Sequence, residues 1–394
     1  MRLAFVTPWF GDNLPGGAEA VTRELIRRLR AQGVAVEVLT TSIHDFHADW
    51  SVNHHAPGVS DSGPAPVWRF GVERRDRRRF DRINKYLMFE ARGRPGESPL
   101  SATDEQTYID EQMRCPLLFA HLRGHAHYYD AFVFMPYMFA TTVYGVEAVG
   151  ERAVIIPALH DESYAYMEIY RQMAEKAGCI VTQTPAEDWL VGRIWGERAA
   201  ARTRLLGMGI DTDWHADGRR FRERFGIEGP FLLSVGRRDT TKGLYRLVWN
   251  WLEYRRAGGR QSLVMIGPGS LPAELHRIEG LVDLGFVDRQ SKYDAHAAAS
   301  VLVQPSQREA FSIVVLESWL AGRPVLVEGR SGVNRDHCLR GGGGLYYETT
   351  AEFVEAVRWF EANEARMPEM MHRAREYVVA NYTWPVVIER FLGL

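Results

Sequence analysis

Residues 304–318 read QPSQREAFSIVVLES. The run that leads into them, VLVQPS, is short, apolar and β-branched, which reads as a buried strand ending at Ser306. SIVVLESWLAG reads as a helix that begins near Ser312. A strand passing through a short loop into a helix is the repeating unit of a parallel α/β sheet. Two glutamates, Glu309 and Glu317, bracket the almost wholly apolar stretch between them. Carboxylates beside a core segment are costly unless something binds them.

The same rhythm continues on both sides. PFLLSVG, SLVMIG, LVDLGFV, VLVQPS and PVLVEG are short buried strands, with helices such as GLYRLVWNWLEYRRAG between them. At the other end RLAFVTP is strand-like, GGAEAVTRELIRRLRAQG is helical and VAVEVLTT is strand-like again. In that helix Ala18, Val21, Leu25 and Leu29 share one face and Gly33 is a stop signal. This βαβ unit implies a parallel sheet. Residues 42 to about 100 break the pattern: HADWSVNHHAPGVSDSGPAP reads as loop, and GVERRDRRRFDRINKYLMFE as a basic segment followed by a short helix. Strands return with DAFVFMP, RAVIIPAL, CIVTQT and RTRLLGMG. The expectation is two doubly wound α/β domains, residues 1–210 and 230–378, joined by a linker over 211–229. Such sheets bind ligands outside the carboxyl ends of their strands, and two facing domains make a cleft.

Composition narrows the class. The chain has 394 residues, 46% hydrophobic and 25% charged, with a formal net charge of −2, so no global charge points to nucleic acid. Three distant cysteines, Cys115, Cys179 and Cys338, show no zinc or CxxC spacing and suit a reducing cytosol. MRLAFVTPWFG is broken too early by Pro8 for a signal peptide, and no run of 18 apolar residues exists. A cytoplasmic location is expected.

The chemistry follows from strand ends. Glu309 falls in the loop after VLVQPS, and Glu317 lies a turn and a half into the helix, about 8 Å further along at 1.5 Å per residue. Between them the backbone N–H groups of Ala310, Phe311, Ser312 and Ile313 stand at a helix N-terminus, which attracts phosphate. An anion site flanked by two hydroxyl-binding carboxylates has the polarity of a nucleotide sugar; a helix-terminal glutamate plus an exposed one is the plainer alternative. SVGRRDTTKGL places Arg237 and Lys242 in the loop after FLLSVG, where both can turn to one diphosphate, Arg as a fork and Lys as a point charge. A solvated surface pair is the alternative there.

The set GGAE, LHDE, SVGR…TKG, IGPG and EAFSIVVLES resembles the retaining glycosyltransferases of family four, which have the GT-B fold of two Rossmann-like domains facing a cleft. That family carries two glutamates separated by seven residues, as Glu309 and Glu317 are, and a G-R…K-G pair, matched by Gly236-Arg237 and Lys242-Gly243. Its closing helix returns to the N-terminal domain, and YTWPVVIERFLGL resembles it, so a helix over 379–394 would complete the first domain. The resemblance spans residues 1–41 and about 130–394; residues 42–129 lie outside it. It implies a donor site on the second domain. Glu317 would bind the ribose hydroxyls, Glu309 the hydroxyls of the donor sugar, and Arg237 and Lys242 the diphosphate. Gly267 would join that site, and the backbone near Phe286 and Val287 would meet the base. Gly16 and Gly17 would let the first loop approach phosphate closely. His160, after a strand in PALHDESY, would reach the reacting sugar. Two departures stand out: Ala310-Phe311-Ser312 replaces the family's frequent Gly-Phe-Gly, with Ser312 adding a hydroxyl, and Met208-Gly209-Ile210-Asp211 lacks its Asn.

The resemblance therefore implies transfer of a sugar from a nucleoside diphosphate donor to a glycan or lipid-linked acceptor, for a surface polysaccharide or glycolipid. Residues 42–129 would hold the acceptor information. A nucleotide-sugar epimerase of the same fold and a non-catalytic sugar-nucleotide-binding subunit are the alternatives. No metal or other cofactor is expected: Asp211-Thr212-Asp213 imitates a metal-binding D-x-D but falls at the end of the first domain, where Asp turns the chain. His121, His125 and His127 lack carboxylates or cysteines at ligand spacing. GPGSLP is not a GxGxxG fingerprint, which disfavours a nicotinamide enzyme. The basic run Arg74–Arg82 reads as a solvated face, or as a contact with anionic lipid.

Overall fold

The apolar runs do become parallel strands, in two separate sheets. The computed structural model describes residues 1–11, 14, 17–61, 63–238 and 242–394. The chain divides into two units, Met1–Gly207 with Ile388–Leu394, and Met208–Val387.

In the first unit the described strands are β1 (Arg2–Thr7), β2 (Ala35–Thr41), β3 (Gly58–Ser60), β4 (Val67–Phe70), β5 (Ala131–Phe134), β6 (Ala153–Ile155), β7 (Cys179–Thr182) and β8 (Thr203–Leu205). They lie in the order β3-β4-β2-β1-β5-β6-β7-β8, all parallel except the β3 edge. Phe5, Phe132, Phe134 and Ile180 form its fully buried middle. The first helix, Gly17–Ala31, buries Thr22, Leu25, Ile26 and Leu29, a face turned slightly from the expected one, since Ala18 and Val21 are only half-buried. Residues 42–129 prove less irregular than their polar sequence implies. They add β3 and β4 to the sheet edge and form helices Arg77–Phe89, Ala102–Asp110 and Pro116–Gly124. The first is capped by the Asp76 carboxylate and buries only Phe80, Ile83 and Leu87, too sparse an apolar set to announce a packed helix.

In the second unit β9 (Phe231–Val235), β10 (Ser262–Ile266), β11 (Leu281–Asp283), β12 (Val301–Gln304), β13 (Val325–Glu328) and β14 (Gly344–Tyr347) form a parallel sheet in the order β11-β10-β9-β12-β13-β14. The chain adds strands in one direction from β9 and in the other from β12. By the right-handed crossover rule the helices that follow those two strands leave on opposite faces, and a crevice opens above their carboxyl ends.

Two boundaries differ from expectation. Residues 211–229 are not a free linker: Gly218–Phe225 is a helix between the Asp217 cap and Gly226, whose φ is +64°. Phe221 is buried under it, and Arg220 meets the carboxylate of Asp294 at 2.5 Å on helix Arg289–Ala298. Its five charged residues hide that single apolar anchor. Similarly, 379–394 is not one helix. Residues 379–382 end the helix Met367–Tyr382, Thr383 is extended, and Trp384–Leu392 starts afresh. Within the first unit Arg390 then donates to the Leu206 carbonyl at 3.2 Å, and Phe391 stacks on Phe5.

Candidate active site

β9 and β12 are hydrogen-bonded neighbours, with Leu232 and Leu233 opposite Val301 and Leu302. Their following loops meet above them. Lys242 Nζ lies 2.6 Å from Glu309 Oε1, with the Glu309 side chain 10% exposed. Gly243 makes this approach feasible: its φ is +79°, and a Cβ there would lie 2.5 Å from the Pro305 carbonyl. So two residues expected to grip different parts of a ligand grip each other. The helices that follow, Leu244–Arg256 and Ile313–Leu320, have no side-chain cap among the described residues, so no side chain there competes with an anion for the N–H groups of their first turns.

The loop 309–313 is fixed from behind. Phe311 is buried against His337 and Tyr382, and its carbonyl accepts from His337 Nε2 at 2.9 Å. Ser312 holds φ +62°, a left-handed conformation in which glycine is at ease, which explains why the resembled family often has glycine there. Its hydroxyl is not offered to a ligand as expected; it is buried and accepts from Gln304 at 3.3 Å. Ala310 and Ile313 are half-buried and flank the turn.

On the β10 side Gly267 has φ +134°, and a Cβ would lie 2.2 Å from the Gly236 carbonyl. Arg238, not foreseen, ties these strand ends together. Its guanidinium donates to the carbonyls of Gly267 and Met265 and meets Asp283 at 2.5 Å. Arg237 beside it is exposed. β11 ends at Asp283, earlier than expected, so Phe286 and Val287 lie in the loop beyond it, Phe286 80% exposed.

Glu317 is more enclosed than a helix-surface glutamate, its side chain 3% exposed. Lys292 Nζ holds its Oε1, and His296 stands 3.6 Å from Oε2. Burial pushes the carboxyl upward, but Lys292 and His296 together hold it below the usual carboxylate range. Lys292 and His296 were missed because the helix Arg289–Ala298 has a mixed polar sequence, RQSKYDAHAA; their i, i+4 spacing was the available signal.

In the first unit His160 follows β6, its Nδ1 3.7 Å from Glu162 Oε1. The strand end is held by Glu187, whose two oxygens accept from the Leu159 and Gln183 backbones at 2.7 and 2.6 Å. Burial pushes the Glu187 carboxyl up to about 7 against those two bonds. Gly16 lies outside the described residues. Gly17 opens the first helix, and a Cβ there would meet nothing within 4 Å. Where strand order reverses in this sheet, between β1 and β5, a pocket is lined by Trp9, Phe10, Glu19, Arg23 and Phe139 among others, with Trp9 Nε1 donating to Glu19 at 2.8 Å.

Asp211 and Asp213 fall in the second unit, not at the end of the first, and Asp211 pairs with Arg289. Among the described residues no three His, Cys, Asp or Glu side chains gather as a metal-binding set. The basic run divides: Arg75 turns inward to the Glu111 carbonyl and packs over Trp50, and Arg77 pairs with Asp81. Arg78, Arg82 and Lys85 face outward with Phe89, which is 71% exposed. No described helix is long and apolar enough to cross a membrane.

Residues 217–378 match the family described as Glycosyl transferases group 1. Over that stretch the chain is similar to the group 1 glycosyl transferases. The matched stretch contains β9–β14 together with Arg237, Lys242, Lys292, His296, Glu309 and Glu317. The trehalose synthase of Rubrobacter xylanophilus is 26% identical over 192 residues, 43% of this chain and 45% of that protein. The D-inositol 3-phosphate glycosyltransferase of Acidothermus cellulolyticus is 31% identical over 170 residues, 36% of this chain and 38% of that one. The chain thus spans less than half the length of these curated relatives. Anabaena HepE, solved with UDP, superposes with a TM-score of 0.71 at 16% identity, covering 100% of this chain and 99% of that one. The fold is GT-B.

Arg238 offers a direct check on how the second unit holds its strand ends. Removing one partner of a buried ion pair costs about 3–5 kcal/mol. Arg238→Met is expected to lower the unfolding free energy by about 3 kcal/mol, while Arg237→Met changes it little. Urea unfolding followed by circular dichroism measures both.

Proposed function

We propose that this protein is a retaining glycosyltransferase that moves a sugar from a nucleoside diphosphate sugar to a hydroxyl of a glycan or lipid-linked acceptor, in surface polysaccharide or glycolipid synthesis. The observation that carries this reading is the Lys242–Glu309 bridge across the strand-order reversal, between two helix N-termini that have no side-chain cap among the described residues. An arriving diphosphate competes for Lys242, and Glu309 is then released to accept from sugar hydroxyls. As the glycosidic bond breaks, negative charge gathers on the departing diphosphate. Lys242, Arg237 and the two sets of N–H groups would meet that charge as it develops, which favours the transition state over the ground state. Glu317 would take the ribose diol, and the bare ring of Phe286 would stack on the base. HepE's UDP supports a uridine donor.

The acceptor is assigned to the first unit, with the pocket beside Trp9 and Glu19 and the elements of residues 42–129 as its surroundings. His160 would serve turnover rather than nucleotide binding. No metal is assigned, because two cations and two helix N-termini already supply the positive charge a metal would bring. The protein would work in the cytoplasm, touching anionic membrane through Arg78, Arg82 and Lys85, each adding about 1 kcal/mol near the surface.

Incubation with UDP-sugars and GDP-sugars, with and without candidate acceptors, separates this reading from its rivals. Transfer only when acceptor is present supports it; a new donor isomer without acceptor indicates an epimerase, and tight binding without turnover a binding subunit. Activity is expected to persist in excess EDTA. Lys242→Met is expected to lower kcat by about 10²–10³ while the protein stays folded. Activity abolished by EDTA and restored by manganese would overturn the charge assignment.

A further inference from the structure

Lys292 and His296 lie at i and i+4 on one helix face, and Glu317 reaches both from the helix Ile313–Leu320. Lys292 holds one carboxylate oxygen. The other, Oε2, is buried without a hydrogen-bond partner among the described residues. His296 is 0% exposed, and neither of its ring nitrogens has a hydrogen-bond partner among the described residues. The two orphans face each other at 3.6 Å, just beyond hydrogen-bond range.

Buried polar groups are nearly always paired. The protein's other fully buried histidine follows that rule: His337 donates to the Phe311 carbonyl and accepts from the Tyr377 hydroxyl at 3.0 Å. His296 therefore differs from a core histidine satisfied by its surroundings. Closing the gap by a few tenths of an ångström would satisfy Nε2 and Oε2 at once. Burial pushes the His296 imidazole toward its neutral form, and Lys292 adds to that while Glu317 opposes it. A neutral ring with the proton on Nε2 is a single donor aimed at Oε2.

We propose that His296 is a positioning residue for the donor site: its Nε2–H takes Oε2 of Glu317 when a ligand's hydroxyls displace Lys292 from Oε1. This rests on the reading above that Glu317 binds the ribose. The Lys292 side chain is 27% exposed and can withdraw toward solvent, whereas His296 is enclosed and stays. The imidazole thus fixes the plane of the carboxylate, leaving its outer lone pairs for two neighbouring hydroxyls.

Preference for a ribonucleotide over its 2′-deoxy counterpart is the readout, because a merely structural histidine alters stability or overall affinity but not that ratio. Wild-type protein is titrated calorimetrically with UDP, GDP and ADP, and the tightest binder is compared with its 2′-deoxy form. The expected preference is about tenfold, one charge-assisted hydrogen bond. Glu317→Gln should abolish it, His296→Met should bring it near parity, and His296→Gln, whose amide can occupy the place of Nε2, should restore it. If His296→Met does not fold, His296→Asn, whose amide stops short of Oε2, must show the same loss. Full preference in these variants, with loss in Glu317→Gln, overturns the positioning role alone. A wild type with no preference, or one that binds none of the three nucleotides, overturns the ribose assignment and the role of His296 with it.

Discussion

β9 and β12 are parallel neighbours from which the chain winds away in opposite directions, and the crevice above their carboxyl ends cannot be filled by a short connection. Everything assigned to the donor site is arranged around that gap. Lys242 and Glu309 reach across it from the two loops. Gly243 allows the loops to touch, backbone to backbone. Arg238 locks the adjacent β10 and β11 ends, and His337 with Phe311 locks the β12 side. The result is a rigid rim around two helix N-termini.

The charges on that rim are paired with one another: Lys242 with Glu309, and Lys292 with Glu317. Carboxylates this enclosed need a partner at all times. A ligand that brings both an anion and hydroxyls can replace both halves of such pairs together, so cation and carboxylate change partners without either being left bare. A simple phosphate or a simple sugar replaces only one half. That asymmetry favours a ligand joining the two, which is what a nucleoside diphosphate sugar is.

Much of this was legible beforehand. Parallel strands are buried on both faces, so VLVQ and VLVE appear as plain apolar runs, and the polar turns after them, PSQRE and GRSG, mark the loops. Glu309 and Lys242 stand out as charges in strand-end loops, and Glu317 as a charge within an apolar helix. What was hidden depends on tertiary contacts. The helix Gly218–Phe225 shows one buried residue among arginines, and so read as linker. Arg237 and Arg238 are adjacent and chemically identical, and only the packed β10 and β11 loops distinguish the exposed one from the buried clamp. His296 carries only the i, i+4 spacing from Lys292 as a local signal; its meaning comes from Glu317, 21 residues later in the sequence.

The central claim is that nucleoside diphosphate binds at the reversal between β9 and β12. Hydrogen–deuterium exchange with and without saturating UDP or GDP tests it directly, since amides at uncapped helix starts are reported one by one. The account predicts protection concentrated in residues 236–246 and 309–317, with a lesser effect over 283–296. Protection confined to the first unit, with these segments unchanged while the nucleotide is demonstrably bound, would contradict it.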